Sequence, residues 1–119
     1  KVGLKKELFR KSLEVMISEA DRTNSKLVFI YLPTWSMFGD NTDSYGIKTK
    51  EPNYLLKDSI IDLVNQKNIF TIDLTDFINS KGEYEATNFY NYRKYGHFTP
   101  EGYYKVSQHI YKNLFKLLE

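Results

Sequence analysis

The apolar positions of the chain alternate between a helical and a strand-like spacing. Between residues 4 and 22 they recur every three or four positions, as on one face of a helix. These positions are Phe9, Leu13, Met16, Ile17 and Ala20. Leu27–Leu32 is instead a continuous run rich in β-branched and aromatic residues, typical of a strand covered on both faces in a parallel sheet. Pro33 ends this strand because proline has no amide for the sheet ladder.

The rest of the chain repeats the alternation. The pattern predicts a helix over residues 53–66, a buried strand over Ile69–Leu74, a short helical turn over Thr75–Ile78 and a closing helix over residues 100–118. The second helix has Leu56, Ile60, Leu63 and Val64 on one side, and the closing helix has Val106, Ile110, Leu114 and Leu117 on its inward side. Thr99 and Pro100 mark the start of the closing helix, since both residue types are common there.

This αβαβα order predicts an α/β fold with parallel strands: a right-handed βαβ unit with an extra helix at each end. Two parallel strands offer too little surface for three apolar helix faces, and parallel sheets are normally larger and covered on both sides. We therefore expect the sheet to be incomplete in this chain. The remainder of the same polypeptide, or a second copy of the chain, is expected to supply the missing strands.

Composition narrows the class of protein further. The 119 residues fit one domain, and 41% hydrophobic with 27% charged residues is typical of a globular protein. A net charge of +2 gives no electrostatic signature of nucleic-acid binding, and no apolar run approaches the ~20 residues of a transmembrane segment. The lack of cysteine excludes disulfides and thiol catalysis. Because the first residue is Lys1, we expect either a removed leader or a longer parent protein.

A long polar segment, Thr34–Pro52, follows the first strand. Loops of this length in compact domains are usually functional or mobile. Trp35 is expected to form a wall of any substrate site here. Ser36 and Ser44 lie at the same edge of the sheet, but neither stands in a Gly-x-Ser-x-Gly or Gly-Asp-Ser context. No spacing of His, Asp or Glu matches a metal-ligand pattern, so no metal and no cofactor is expected.

Two titratable residues carry the candidate chemistry. His97 lies in the loop-to-helix segment Tyr95–Tyr103, where its imidazole could exchange protons near neutral pH. The alternative is that His97 only packs at the helix entrance. Asp73 ends the second strand at the carboxyl edge, where open α/β sheets bind their ligands. Its alternative role is to cap the turn that follows.

The pairing of the LVFIYLP strand with the late GHFTPEGY segment resembles the SGNH (GDSL-type) hydrolase family, including its carbohydrate O-acetyltransferase and esterase branches. The last block of that family reads Asp-x-x-His, followed by a small-Pro-x-Gly turn into the final helix. His97, Thr99, Pro100 and Gly102 match its latter part. The resemblance implies a flavodoxin-like three-layer α/β/α fold, of which residues 1–119 form a single domain corresponding to the C-terminal part.

The resemblance also implies an activity, that of a serine-esterase-type hydrolase or O-acetyltransferase in which His97 is the general base. The implied substrate is a small-molecule, lipid or carbohydrate ester, and a cell-envelope or secreted location is favoured. Asp73 would replace the family aspartate, whose position is occupied by Lys94. The residues expected to contact substrate are Trp35, Ser36, Tyr95 and Phe98. The nucleophilic serine block has no counterpart here, so the 119 residues alone are expected to be inactive.

Two other interpretations stay open at this point. The first is a non-catalytic SGNH-like module that binds a ligand or a carbohydrate, which the lysine at position 94 favours. The second is a receiver-like or flavodoxin-like α/β module unrelated to esters. That module would need an acidic pocket or a phosphate-binding loop, and the sequence contains a motif for neither.

Overall fold

The computed structural model describes residues 2–34, 54–79, 88–90 and 97–118. The elements are α1 (Val2–Arg22), β1 (Val28–Tyr31), α2 (Tyr54–Gln66), β2 (Phe70–Asp73), α3 (Leu74–Asn79) and α4 (Pro100–Leu118). The two strands pair as parallel neighbours in one sheet. The predicted α/β class with parallel strands is therefore confirmed. The predicted loop over residues 34–52 lies almost wholly outside the described residues.

Both helix-to-strand turns use the same capping device. Asn24 follows α1 and Asn68 follows α2, each with a left-handed backbone (φ 53° and 56°), which asparagine tolerates better than most residues. After α1 the Ser25 amide donates to the Ala20 carbonyl at 2.8 Å, and the equivalent bond after α2 is 3.4 Å long. In each turn the asparagine amide also donates a hydrogen bond to a carbonyl three positions earlier, at 3.2 Å for Asn24 and 3.0 Å for Asn68. This pattern is the Schellman motif, which ends each helix and turns the chain towards a strand.

The described chain divides into two compact units, and the first comprises residues 1–29 and 54–71. Leu13, Val64 and Ile69 form its buried core. The half-buried residues packed against this core are Phe9, Ile17, Leu27, Phe29, Ile60 and Leu63. The predicted inward position of Met16 is wrong, because its side chain is 53% exposed. The packed stripe of α1 follows the four-residue spacing Phe9, Leu13, Ile17, which leaves Met16 at its margin.

The second unit comprises residues 30–53 and 72–119. Its buried hydrophobic residues come from β2, α3, the segment 88–90 and the start of α4; they are Ile72, Leu74, Ile78, Phe89, Tyr90, Phe98 and Val106. α4 begins and ends where the sequence predicted. Val106 is buried as predicted, whereas Ile110, Leu114 and Leu117 are half-buried.

Strand β1 differs from its prediction in burial. All four of its residues are half-buried, and Leu32 beyond it is 51% exposed. The predicted complete coverage of both faces is therefore wrong for this strand. In the sheet that the described residues form, each strand has a single neighbour, so β1 is an edge strand.

Candidate functional site

The entry to α4 is a fully formed N-cap built from the sequence block that contains His97. The Thr99 hydroxyl oxygen accepts a hydrogen bond from the Gly102 amide at 2.9 Å, and the Thr99 carbonyl accepts the first helical bond from Tyr103 at 2.8 Å. Pro100 occupies the first helical position, where its missing amide costs nothing. The helix start predicted at Thr99 and Pro100 is thereby confirmed.

The same cap is anchored to a second segment of the chain. The Thr99 amide donates to the Phe89 carbonyl at 2.7 Å, and the Thr99 hydroxyl donates to the Asn88 carbonyl at 2.6 Å. The backbone of Gly102 lies so close to Phe89 that an added Cβ would be 2.7 Å from the Phe89 carbonyl oxygen. A residue without a side chain is therefore required at position 102 for this approach.

Tyr90 connects this junction to the sheet. Tyr90 forms an antiparallel bridge with Phe98, and the centres of the two rings lie 5.2 Å apart. Its hydroxyl donates a hydrogen bond of 2.7 Å to the carbonyl oxygen of Pro33, two residues beyond β1. Burial, and secondarily Tyr31, raise the pKa of the Tyr90 phenol, so this hydroxyl stays protonated and able to donate. The segment that follows His97 is therefore attached at the carboxyl end of β1.

Asp73 lies at the carboxyl end of β2, as the sequence predicted. One of its carboxylate oxygens accepts a hydrogen bond from the Thr75 amide at 2.9 Å, so Asp73 caps α3. Burial, and secondarily the charge of Asp73, raise the pKa of the Tyr31 phenol on β1. Asp73 therefore makes the capping contact that was its alternative predicted role. Its charge also acts on the phenol at the end of the neighbouring strand.

His97 is exposed, whereas the next residue, Phe98, is only 5% exposed. Because β1 and β2 are parallel neighbours, their carboxyl ends lie at one edge of the sheet. The Tyr90 contacts bring the backbone beside His97 to that edge, where Asp73 also lies. His97 and Asp73 therefore both belong to segments at the carboxyl edge of the sheet.

Of the four residues predicted to contact substrate, only Phe98 lies among the described residues. Phe98 lies between the rings of Tyr90 and Tyr103, with its ring centre 5.3 Å from that of Tyr103, and so packs in the core. Several residues of the sequence interpretation lie outside the described residues: Trp35, Ser36, Ser44, Lys94 and Tyr95. No individual role was predicted for Tyr31 or Tyr90. No local pattern in the sequence marks the pairing of Tyr90 with Pro33.

The described residues contain no group of three or more His, Asp or Glu side chains that could hold a metal ion. Across the same parts of the chain, each helix is too short or too polar to span a bilayer. No protein-family model, curated protein or solved structure matches this chain.

Proposed function

We propose that this chain is the part of an SGNH-type ester hydrolase or O-acetyltransferase that carries the histidine general base, His97. The supporting observation is the hydrogen bond from Tyr90 to Pro33, which attaches the segment beside His97 to the carboxyl end of β1. Ligands of open α/β sheets bind at this edge. A base presented on a loop needs a rigid support, and the buried Tyr90 with the capped start of α4 supplies one.

The proposed reaction is acyl transfer through a serine. His97 takes the proton from the serine hydroxyl as the oxygen attacks the ester carbonyl carbon, and the imidazolium then gives that proton to the departing alkoxide. Water hydrolyses the acyl-serine in a hydrolase, and an acceptor hydroxyl takes the acyl group in a transferase. In either case His97 removes the proton from the second nucleophile and returns it to the serine.

Asp73 is the proposed positioning residue for the imidazole. A carboxylate has two oxygens and accepts several hydrogen bonds, so the Thr75 amide contact does not prevent a second contact to His97. In that role Asp73 holds one tautomer of the ring and stabilises the imidazolium that forms during the reaction. In this assignment Asp73 replaces the family aspartate, whose position is occupied by Lys94 in this sequence.

In this proposal, the nucleophilic serine and the oxyanion donors are not supplied by this chain's own site residues. The remainder of the same polypeptide, or a second copy of the chain, supplies them together with further strands of the sheet. The substrate is an acyl ester of a small molecule, a lipid or a carbohydrate. The near-balance of 17 basic and 15 acidic residues gives no support to a nucleic-acid substrate.

A second candidate function is a non-catalytic SGNH-like module that binds a ligand or a carbohydrate. Lys94 favours this candidate, because a cation three positions before His97 does not orient an imidazole or stabilise its protonated form. A module of this kind keeps the fold and the helix entry and has no turnover.

The test compares ester turnover in the full-length protein that contains this chain, with p-nitrophenyl acetate as the probe. We expect His97→Ala to lower kcat by about 10²–10⁴-fold, the usual contribution of general acid–base catalysis. Lys11→Ala is the control, because it truncates an exposed side chain on α1, and it should leave kcat within about twofold. Unchanged turnover in His97→Ala overturns the catalytic proposal. A full-length protein that binds acetylated oligosaccharides without turnover supports the second candidate.

A further inference from the structure

The second unit contains a cleft of about 230 Å³ between α3, Phe89 and one side of α4. The residues that line it are Phe77, Phe89, Lys105, Gln108, His109 and Lys112. The volume is below the ~300 Å³ at which pockets for drug-sized ligands begin, so any occupant is small. Among the described residues, neither His97 nor Asp73 lines this cleft.

Aromatic rings form the inner surface of the cleft. The imidazole of His109 stacks on the ring of Phe77, with 4.1 Å between the ring centres and 19° between the planes. Phe89 meets Phe77 edge to face, with the centres 6.1 Å apart, and is only 1% exposed. Phe77 is only half-buried, so part of its ring can make a stacking or edge contact with another ring, whereas Phe89 supports Phe77 from the core.

The rim of the cleft is basic. Lys105, His109 and Lys112 follow the spacing i, i+4, i+7 on one side of α4. Lys105 is paired with Glu101 at 3.1 Å, and its ammonium lies 5.6 Å from the centre of the Phe89 ring. Among the described residues that line the cleft, none carries a carboxylate. A small cleft with an aromatic interior and a cationic rim matches a ligand with a flat ring and a negative group.

We propose that this cleft binds a small aromatic anion, with its ring against the exposed part of Phe77 and its carboxylate or phosphate group beside Lys112 and His109. Phe77 supplies apolar contact area, and the lysines supply the attraction to negative charge. Burial first, and then Lys116 and Lys112, lower the pKa of His109, so the lysines and not the imidazole carry the positive charge at the rim. A metal cation is disfavoured by the same lysines.

Ligand-observed saturation-transfer NMR on the full-length protein tests this site, with benzoate and phenyl phosphate as probes. Benzamide has the ring without the charge, and acetate has the charge without the ring. We expect benzoate and phenyl phosphate to bind with millimolar affinity, as small fragments do, and each control compound to bind at least tenfold more weakly. Equal binding of benzamide or acetate overturns the proposal, as does no benzoate binding up to about 20 mM.

Two lysine variants locate the binding on the protein. Lys112→Gln should weaken benzoate binding about fivefold, the effect of losing one partly screened charge contact. Lys116→Gln is the matched control, because it removes the same charge one turn further along α4 without lining the cleft, and it should change the affinity less than twofold. Equal weakening in the two variants indicates general attraction to the helix and overturns the cleft assignment.

Phe77→Leu tests the aromatic contact while keeping apolar volume at the position. We expect the preference for benzoate over acetate to fall at least fivefold in this variant, with native far-UV circular dichroism as the check on folding. An unchanged preference in the folded variant contradicts the proposal. Because these readouts do not use ester turnover, failure of this site and failure of the His97 proposal are distinguishable.

Discussion

The hydroxyl of Tyr90 donates a hydrogen bond to the carbonyl oxygen of Pro33, 57 positions earlier in the chain, at 2.7 Å. Pro33 lies just beyond β1, and Tyr90 bridges to Phe98, the residue after His97. Both Tyr90 and Pro33 are fully buried, so this bond is shielded from water. It is the contact through which the candidate base is attached to the edge of the sheet.

Tyr90→Phe removes this hydroxyl and leaves the Pro33 carbonyl buried without its donor. An unsatisfied buried acceptor costs about 1–3 kcal/mol, so we expect the free energy of unfolding to fall by that amount in urea titrations. Tyr111→Phe is the matched control, because Tyr111 is 62% exposed, and its change should stay within about 0.5 kcal/mol. Equal stabilities of Tyr90→Phe and the unmodified protein would show that this bond contributes nothing.

Contacts between residues close in sequence could be predicted, whereas contacts between distant residues could not. The start of α4 at Pro100 was predictable because Thr99 caps it through a residue three positions away. The Schellman turns at Asn24 and Asn68 are equally local. The bond from Tyr90 to Pro33 was not predictable, because each residue has an ordinary local context and the pairing exists only after folding.

The same distinction applies to burial and to ring contacts. Periodicity identified the packed side of α1 correctly at Leu13 but placed Met16 inward, since how wide a stripe is covered depends on the neighbouring elements. His109 stacks on Phe77, 32 positions away in sequence numbering. The cleft that these two rings share has no signature in the sequence of either helix.

Gly102→Ala should destabilise the junction that carries His97. The added Cβ would lie 2.7 Å from the Phe89 carbonyl oxygen and 3.0 Å from the Phe89 Cα, and backbone atoms cannot move away as a flexible side chain does. We expect a loss of about 1–3 kcal/mol in the free energy of unfolding. Gly3→Ala is the matched control: nothing lies within 4 Å of the new Cβ, and Gly3 is in α1. That control should stabilise the protein by up to about 1 kcal/mol, and the opposite order of the two variants would refute the close-approach argument.

Thr99→Ala removes both side-chain hydrogen bonds of the cap, the one accepted from Gly102 and the one donated to Asn88. Loss of an N-cap costs about 0.5–2 kcal/mol, and we expect urea unfolding to show a loss in this range. Thr99→Ser keeps the hydroxyl and should retain most of the stability. If the serine variant is as unstable as the alanine variant, the threonine methyl group and not the hydroxyl is responsible.

The proton affinity of His109 should respond to two lysines on its own helix. Burial is the largest cause that lowers the pKa of His109 from its ordinary value of 6.5, followed by Lys116 and then Lys112. We therefore expect Lys116→Gln and Lys112→Gln each to raise the pKa of His109, Lys116→Gln by more, without restoring the ordinary value. The measurement is an NMR titration of the His109 imidazole, assigned by loss of its signal in His109→Gln. Lys11→Gln on α1 is the control of equal charge change.

The lowered pKa of His109 also sets the sign of a pH effect on stability. The unfolded chain binds a proton on this imidazole at a higher pH than the folded chain does, so protonation favours unfolding. The contribution of the neutral imidazole to stability is complete above pH 6.5 and is lost as the pH falls through that value towards the lowered folded pKa. We expect the fall in stability on acidification across this window to be smaller in Lys116→Gln than in the unmodified protein. An identical pH dependence of the two proteins, measured by urea unfolding, would contradict the assigned electrostatic cause.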